Sequence, residues 1–150
     1  MEVRKIKDIL NRKKFIDLLL IGDEDRTMLE KYMGLGNMYV LYRQDQVIGC
    51  ILTLEKNART LEIKNISIYP EYRQMGYGRY LVEYVVKKYR RKYRKLIVGT
   101  GDSPLTLPFY QALDFKKYYV VRDFFTKNYE EEIIEAGVKL RDMVYLERHL

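Results

Sequence analysis

The sequence has very little of the residues that build disulfides and most metal or nucleophilic sites. It contains one cysteine and one histidine in 150 residues. One cysteine cannot form an internal disulfide, and Cys50 inside the apolar stretch QVIGCILTL is expected to be an inert strand residue. One histidine, His149, cannot build a multi-histidine metal site, and histidine-based catalysis is not expected. We therefore predict no bound metal.

Long apolar runs are also missing. The stretch FIDLLLIG is short and is interrupted by Asp17, so it cannot span a bilayer, and no secretory signal pattern is present. With 47% hydrophobic and 33% charged residues, the composition is typical of a soluble globular protein. We predict one domain over residues 1–150, located in the cytoplasm and without a membrane partner.

Positive charge is the one excess. The formal net charge is +7, and much of it lies in KKYRRKYRK, residues 87–95. Cations at a helix end suit the negative end of the helix dipole, so a solvated helix end explains the pattern. A phosphorylated ligand or a nucleic acid would also explain it, because tyrosines alternate with the cations and aromatic rings stack on bases.

Hydrophobic periodicity predicts a mixed α/β fold. Alternation marks strands and a repeat of three to four residues marks helices. The predicted elements are a strand at residues 3–6, helices at 8–21 and 24–33, a hairpin with its turn at 44–46, a strand in TLEIKNISIY, an amphipathic helix from Gly78, a buried strand in KLIVGT, a short helix starting at Thr106, and closing strands in KKYYVVRDFF and KLRDMVYLE. Their order is βααβββαβαββ.

The strand TLEIKNISIY changes phase in its middle. Leu61 and Ile63 share one parity, whereas Ile66 and Ile68 have the other, although strand side chains alternate strictly between two faces. A strand buried on both faces would allow this pattern. A β-bulge near residues 64–65 would also produce it, and would bend the strand and leave backbone groups unpaired. We favour the bulge.

Two glycines one residue apart separate this strand from the amphipathic helix. Glycine lets the backbone approach a ligand closely, and a helix N-terminus offers free N–H groups to an anion. The dinucleotide fingerprint G-x-G-x-x-G fails at Leu81, and no G-K-[ST] follows for a Walker motif. Taken alone, Gly76 and Gly78 would also fit a plain turn into a helix.

The residues around the glycines are more specific. The stretch ISIYPEYRQMGYGRYLVEYVV resembles the acetyl-CoA-binding motif of the GNAT family of N-acetyltransferases, whose core is [RQ]-x-x-G-x-[GA]. FYQALDF is similar to a second motif of that family, with Asp114 where the family has glycine. The resemblance covers essentially the whole chain and implies the family's fold, a central and mostly antiparallel sheet of about seven strands flanked by helices. The core of the first motif corresponds to Arg73, Gln74, Met75, Gly76, Tyr77 and Gly78.

The resemblance implies a site for acetyl-CoA as co-substrate. Backbone N–H groups from Gln74 to Arg79 would hold the pyrophosphate. The backbone around Ile66 and Ile68 would pair with the pantetheine arm like an added strand, which requires the next strand to splay away. A bulge at residues 64–65 would open that gap. Where the family often has an asparagine that contacts pantetheine, this chain has Asp102 and Ser103.

The resemblance also implies catalytic residues. A tyrosine on the short helix often protonates the leaving thiolate in this family, and the matching residue is Tyr110. Histone-type members carry a catalytic glutamate on the strand before the glycine motif, which corresponds to Glu62 as general base. A plain strand carboxylate is the alternative for Glu62, with proximity supplying much of the rate. An N–H group near Ile66 would stabilise the oxyanion.

The leading interpretation is an N-acetyltransferase that moves the acetyl group of acetyl-CoA to a primary amine directly, in a ternary complex. Between the last two strands, an acidic rim could attract a cationic amine or belong to a solvated loop. The rivals are a basic nucleic-acid-binding module, ranked lower, and a non-catalytic CoA-binding regulator. The family's habit suggests a homodimer. The carboxylates of the rim are Glu130, Glu131, Glu132 and Glu135.

Overall fold

A seven-stranded sheet organises the chain in the computed structural model, which describes residues 1–150. All neighbouring strands are antiparallel except β4 and β5, which are parallel. The strand order across the sheet is β1-β2-β3-β4-β5-β9-β6, and β7 and β8 form a separate hairpin. The predicted sheet is thereby confirmed. The strands are β1 (Glu2–Ile6), β2 (Asn37–Arg43), β3 (Gln46–Asn57), β4 (Thr60–Ile68), β5 (Lys95–Gly101), β6 (Lys116–Val121), β7 (Ile134–Glu135), β8 (Val138–Lys139) and β9 (Met143–His149).

Six α-helices flank the sheet. The predicted helix at residues 8–21 is divided into two, because the chain leaves the helical conformation at Phe15, with φ −107° and ψ 19°. The first of the two is held to the end of β1 and to the segment before β2 by Arg12. The buried Arg12 guanidinium donates to four carbonyl oxygens, those of Ile6, Met33, Leu35 and Gly36. None of the helices is both long and apolar enough to cross a membrane. The helices are α1 (Ile9–Lys13), α2 (Ile16–Gly22), α3 (Arg26–Glu30), α4 (Tyr77–Tyr89), α5 (Leu107–Gln111) and α6 (Phe124–Asn128).

Two cores cover the two faces of the sheet. On one face, the apolar side of α4, including Leu81 and Val85, packs with α5 against the central strands. On the other face, Leu18 and Leu19 of α2 pack over β2 and β3. Cys50 belongs to this second core, and burial raises the pKa of its thiol to about 12. The thiol therefore stays protonated, as expected for an inert strand residue.

Strand β4 contains the predicted bulge. Leu52 of β3 lies opposite Asn65, but its neighbour Thr53 lies opposite Ile63, so Lys64 is an extra residue in β4. The insertion returns Ile66 to the face of the sheet that Ile63 occupies, where both pack in the core under α4. This explains the change of parity in the sequence and confirms the bulge.

A gap between β4 and β5 begins at this bulge. The two strands are paired only over Thr60–Ile63 of β4 and Lys95–Val98 of β5. Beyond Ile63, β4 continues to Ile68 with β3 on one edge and no strand on the other. The predicted splaying of the two strands is confirmed.

The stretch between β6 and β9 differs from the predicted pattern. The strand predicted in KKYYVVRDFF ends at Val121, since Asp123 takes a left-handed conformation (φ +56°) and α6 follows. The hairpin β7–β8 then turns through Ala136 and Gly137, both with positive φ. A two-residue turn with two positive φ angles is typical of a tight hairpin, so Ala-Gly was a weak signal for it. We call residues 123–140 the C-terminal segment.

Candidate functional site

The turn before α4, residues 73–79, carries a run of free backbone donors. We call it the glycine turn. Gln74 and Gly76 take left-handed conformations, with φ +61° and +86°. No acceptor within the chain receives any of the six N–H groups of residues 74–79, whereas the next group, Tyr80 N, donates to Gly76 O at 3.0 Å. Free donors on alternating backbone conformations at a helix N-terminus form a site for an anion.

Two contacts hold the glycine turn in place. The Tyr77 hydroxyl accepts a hydrogen bond from Arg43 Nη1 at 2.8 Å, which ties the turn to the end of β2. A methyl group added at Gly78 would lie 3.1 Å from two ring atoms of Phe109 on α5. Gly78 thus serves close packing of α5 against the start of α4, in addition to the expected approach of a ligand. This packing sets Tyr110, the residue after Phe109, near the turn.

The free edge of β4 points its polar backbone groups into the gap. Tyr69 N donates to Ile48 O of β3 at 3.1 Å. Alternate residues of an antiparallel strand bond to the partner strand, so Ser67 also faces β3. The N–H and C=O groups of Ile66 and Ile68 therefore face the gap, where an extended ligand can pair with them. Their side chains are only half-buried.

On the other side of the gap, β5 ends in a tight turn that leads to α5. Ser103 is buried, and its hydroxyl accepts a hydrogen bond from Leu105 N at 3.0 Å. Asp102 is exposed. Of this pair, the Asp102 carboxylate is therefore the side chain that the turn leaves open to a ligand, while Ser103 shapes the loop.

Tyr110 lies on α5, directly beyond this turn. It is 4% exposed and packs edge-on against the rings of Phe109 and Phe115. Burial raises the pKa of the phenol, and the charge of Glu135 raises it further. The hydroxyl is consequently protonated throughout the neutral range, in the state that a proton donor requires.

Glu62 lies on the face of β4 that points away from α4, two residues before the bulge. Its Oε2 is 3.8 Å from Lys64 Nζ, and its side chain is 13% exposed. The charge of Glu62 contributes to a raised pKa of Tyr145 on β9, behind the larger effect of burial. Glu62 is thus a mostly buried carboxylate in the paired part of β4 and β5, next to the start of the gap. An ammonium group is its neighbour.

A buried polar network that the sequence did not point to joins the bulge to the C-terminal segment. Asn65 Nδ2 donates to Leu19 O at 2.9 Å and to Tyr32 Oη at 3.1 Å. Tyr32 donates to one oxygen of Asp23 at 3.1 Å, and Tyr129 donates to the other at 3.0 Å. Burial raises the pKa of Asp23, while these phenols act to lower it. The residues of this network are isolated in the sequence and up to 106 positions apart. No local pattern connects them, so the sequence could not have predicted the network.

An open, acidic cavity of about 260 Å³ lies beside this network. It combines the loop before α3 with the C-terminal segment, and so includes three carboxylates of the predicted acidic rim. Glu135 is not among them. No group of three or more His, Cys, Asp or Glu residues is arranged to hold a metal ion. The lining residues are Glu24, Asp25, Arg26, Tyr129, Glu130, Glu131, Glu132 and Ile133.

The basic stretch at residues 87–95 differs from the pattern that suggested base stacking. Tyr89 and Tyr93 are 8% and 6% exposed and belong to the core under α4. Exposed cations lie between them at the end of α4. The rings are therefore unavailable to stack on bases, and the solvated helix end explains the spacing.

A family model and a curated relative match this chain. The model for the acetyltransferase (GNAT) domain matches residues 34–117. The uncharacterized N-acetyltransferase YvbK of Bacillus subtilis strain 168 is 30% identical over 151 residues, which cover 97% of each chain. Both matches include β4, the glycine turn and α4.

Solved structures with the same fold cover almost the entire chain. A GNAT family acetyltransferase from Elizabethkingia anophelis with acetyl-CoA bound has a TM-score of 0.89 and 31% identity, over 99% of this chain and 98% of that one. An IAA acetyltransferase from Bacillus cereus has a TM-score of 0.90 and 33% identity, over 99% of each chain. A Bacillus subtilis acetyltransferase in complex with CoA has a TM-score of 0.88 and 29% identity, over 99% of each. The protein with this bulged strand and glycine turn belongs to the GNAT family of acetyltransferases.

Proposed function

We propose that this acetyltransferase moves the acetyl group of acetyl-CoA to a primary amine by direct transfer in a ternary complex. The observation that carries the proposal is the run of six free N–H groups of residues 74–79 beside the unpaired edge of β4. Donors and edge together suit a ligand with a diphosphate at one end and an extended, amide-bearing arm. Similar structures from two bacteria hold acetyl-CoA or CoA.

The coenzyme would lie with its diphosphate on the glycine turn. Arg73 and Arg79 are exposed there and add positive charge beside the amides. The pantetheine amides would pair with the backbone of Ile66 and Ile68 in the gap, opposite Asp102. The thioester would then reach the bulge, and an N–H group near Ile66 would stabilise the oxyanion of the tetrahedral intermediate.

Tyr110 is the proposed acid. When the amine attacks the thioester carbonyl, the C–S bond breaks and leaves a thiolate, whose acid has a pKa of about 8.5. A phenol with the ordinary pKa of about 10 is already protonated at neutral pH, and burial keeps the Tyr110 phenol in that state. It would donate its proton to the departing sulfur. The amide nitrogen then releases a proton that restores the phenol, so no charge accumulates.

Glu62 is the proposed base. A primary amine has a pKa of about 10.4 and is charged at neutral pH, so one proton must leave before attack. Glu62 lies on the side of β4 away from α4 and two residues from the bulge. In that place it can receive the proton of an amine that approaches from the face covered by α2 and α3. The acidic cavity on that face would draw cationic acceptors toward the site.

The first test follows free thiol release from acetyl-CoA over a panel of primary amines, with acetyl-CoA binding measured by calorimetry. We expect binding without an amine and thiol release that depends on one. Binding without release for any amine would favour a CoA-binding regulator. Absence of binding, together with thermal stabilisation by an oligonucleotide, would favour the nucleic-acid module. A homodimer stays a prediction, which sedimentation velocity would test.

The second test separates the two proposed catalytic residues from binding. Tyr110→Phe should lower kcat about 100-fold, the lower range for general acid–base catalysis, with the Kd for acetyl-CoA unchanged. Tyr119→Phe, which removes a phenol from a more exposed position on β6, is the matched control. Glu62→Gln should also lower kcat about 100-fold, the lower end of the range for general acid–base catalysis. Wild-type turnover in either Tyr110→Phe or Glu62→Gln would end that residue's assignment.

A further inference from the structure

Lys64, the extra residue of β4, carries a primary amine at the start of the gap. Ile63 and Asn65 have partners on β3, whereas Lys64 between them has none. Its Nζ atom lies 5.4 Å from the ring centre of Tyr32, which belongs to the second core, on the face covered by α2 and α3. The Lys64 amine therefore lies on the side of the sheet from which the acceptor is proposed to approach.

This amine also lies beside the proposed base. Lys64 Nζ is 3.8 Å from Glu62 Oε2, and 30% of the lysine side chain is exposed. The thioester of the coenzyme is proposed to reach the bulge, with an oxyanion donor near Ile66, two residues beyond Lys64. An amine, a carboxylate and the reactive carbonyl would thus meet within one short stretch of β4, where proximity gives an intramolecular reaction a large advantage.

Lys95 resembles Lys64 in everything except its distance from the gap. It pairs with a strand carboxylate, that of Glu147 at 3.3 Å, and 36% of its side chain is exposed. It lies on the same face of the sheet as Glu62, because Ile97, two residues later, is the partner of Glu62 in the parallel pair. Lys95 begins β5, however, at the end of the paired region that lies away from the gap.

We propose that Lys64 is a site of self-acetylation, at which the chain transfers the acetyl group of its own bound acetyl-CoA to the Nζ atom. The proposal rests on the proposed function, since it uses the same coenzyme site, base and acid. The Lys64 ammonium gives one proton to Glu62, and the freed lone pair attacks the thioester carbonyl. The new N–C bond forms and the C–S bond breaks, with its electron pair on sulfur. Tyr110 protonates the thiolate, and the second proton lost from Nζ restores the phenol.

The products are Nε-acetyl-lysine at position 64 and free CoA, and the proton held by Glu62 passes to water. Acetylation removes the positive charge of Lys64 and with it the ion pair to Glu62. The reaction stops after one acetyl group per chain. An external amine competes for the same thioester, so self-acetylation is favoured when no acceptor is present.

The test incubates the wild-type chain with isotopically labelled acetyl-CoA and no amine, and follows each lysine by peptide mass spectrometry. We expect Lys64 to be labelled about 100-fold faster than Lys95, the lower end of the range for general acid–base catalysis, at a rate independent of protein concentration. Glu62→Gln should slow the labelling of Lys64 by about that factor and leave Lys95 unchanged. Lys64→Arg keeps the charge and should remove the rapid mass gain of the intact chain.

Two competitors identify the source of the acetyl group. Excess CoA, which displaces acetyl-CoA from its site, and n-butylamine, or the best amine of the panel, should both suppress the labelling of Lys64 and spare Lys95. Equal labelling of the two lysines, labelling of Lys64 that CoA does not suppress, or a rate proportional to protein concentration would overturn the inference. If external amines still release thiol in that case, the proposed function stands without it. A chain that binds no acetyl-CoA would overturn the proposed function itself.

Discussion

The glycine turn and the C-terminal segment approach the same gap from opposite strands, but they are held in different ways. The turn follows β4 closely in sequence, and its ligand groups are backbone amides. The C-terminal segment reaches the end of β5 through Leu140 and the loop after α2 through Tyr129. Its contacts are made by side chains of residues far apart in sequence. The proposed coenzyme site is therefore built locally, and the proposed acceptor site depends on tertiary structure.

The difference suits the two proposed ligands. A coenzyme that is the same in every reaction can be bound by backbone groups, which do not depend on side-chain identity. An acceptor must be distinguished from other molecules, and that requires side chains of particular charge and shape. Substitutions in the C-terminal segment can then change the acceptor without disturbing the glycine turn.

The bulge is where the two regions meet, and Gly22→Ala should damage both. A methyl group at Gly22, the last residue of α2, would lie 2.4 Å from Ser67 Oγ and 2.5 Å from Asn65 Oδ1. These side chains are buried and bonded to each other at 2.6 Å, so they cannot move away freely. We expect a loss of about 3 kcal/mol in the free energy of unfolding, as for an overpacked core site, and weaker binding of both substrates.

Urea denaturation checks this prediction against Gly34→Ala. A methyl group at Gly34 would meet only the flexible end of Ile9, at 3.2 Å, and should cost less than about 1 kcal/mol. Equal losses in the free energy of unfolding for the two variants would mean that the side chains at the bulge can move away from the added methyl group. The bulge would then not connect the two regions rigidly.

A matched pair of glycines can separate the regions. Gly76 in the glycine turn and Gly137 in the hairpin β7–β8 both have positive φ, +86° and +77°, and both have open space where a side chain would begin. Alanine at either position should therefore cost about 1 kcal/mol through backbone conformation alone. Gly76→Ala should raise the Kd for acetyl-CoA about fivefold, because the free donors lose their arrangement; one kcal/mol corresponds to about that factor.

Gly137→Ala should leave the Kd for acetyl-CoA unchanged and raise the KM for the amine by a similar factor, since it displaces the hairpin β7–β8, which directly follows the residues 130–133 that line the acidic cavity. Calorimetry with acetyl-CoA and steady-state kinetics with the amine give the two readouts. If both variants changed the same readout, the two regions would share one site, and the contrast between local and tertiary construction would fail.

The same contrast explains what the sequence could predict. The individual strands follow from periodicity, the bulge at Lys64 from parity and the glycine turn from a motif, all of which are local in the chain. That the strands form one mostly antiparallel sheet was implied by the resemblance to the family. The hairpin β7–β8 and α6 were missed because the stretch from Asp123 has no sustained period. Short elements of two to five residues are stabilised by contacts such as Leu140 on Gly101, which no local pattern contains.

The candidate site divides along the same line. Tyr110 and the residues of the glycine turn came from motifs, and the structure brings them together through Phe109 on Gly78. The network of Asn65, Tyr32, Asp23 and Tyr129 was invisible, since hydrogen bonds between distant polar side chains leave no periodic trace. The spacing of Tyr89 and Tyr93 among cations suggested a surface that stacks on bases. The structure shows that this periodic pattern reflects the buried side of α4 and the residues that follow it.

Tyr129→Phe should loosen the C-terminal segment only. It removes the hydrogen bond that Tyr129 donates to Asp23 across 106 residues of sequence, worth about 1 kcal/mol. Hydrogen exchange of backbone amides should become faster within residues 123–140 and stay unchanged in the glycine turn. Tyr118→Phe, whose hydroxyl makes no hydrogen bond within the chain, is the control. Faster exchange in the glycine turn would contradict the independence of the two regions.

The smallest expected effect is a pH dependence of this same contact. Because burial raises the pKa of Asp23 in the folded chain above its ordinary value near 3.8, folding binds a proton to Asp23 in the interval between the two pKa values. The free energy of unfolding therefore rises as the pH falls through that interval. Above the interval Asp23 is charged in the folded chain, and burial of the charged carboxylate lowers the stability. Asp23→Asn cannot titrate, so the difference in melting temperature between wild type and Asp23→Asn should move in favour of the wild type from pH 7 toward pH 4. An unchanged difference would show that the hydrogen bonds from Tyr32 and Tyr129 compensate the burial of the Asp23 carboxylate fully. A difference that moves the other way would show that these phenols lower the pKa of Asp23 below its ordinary value.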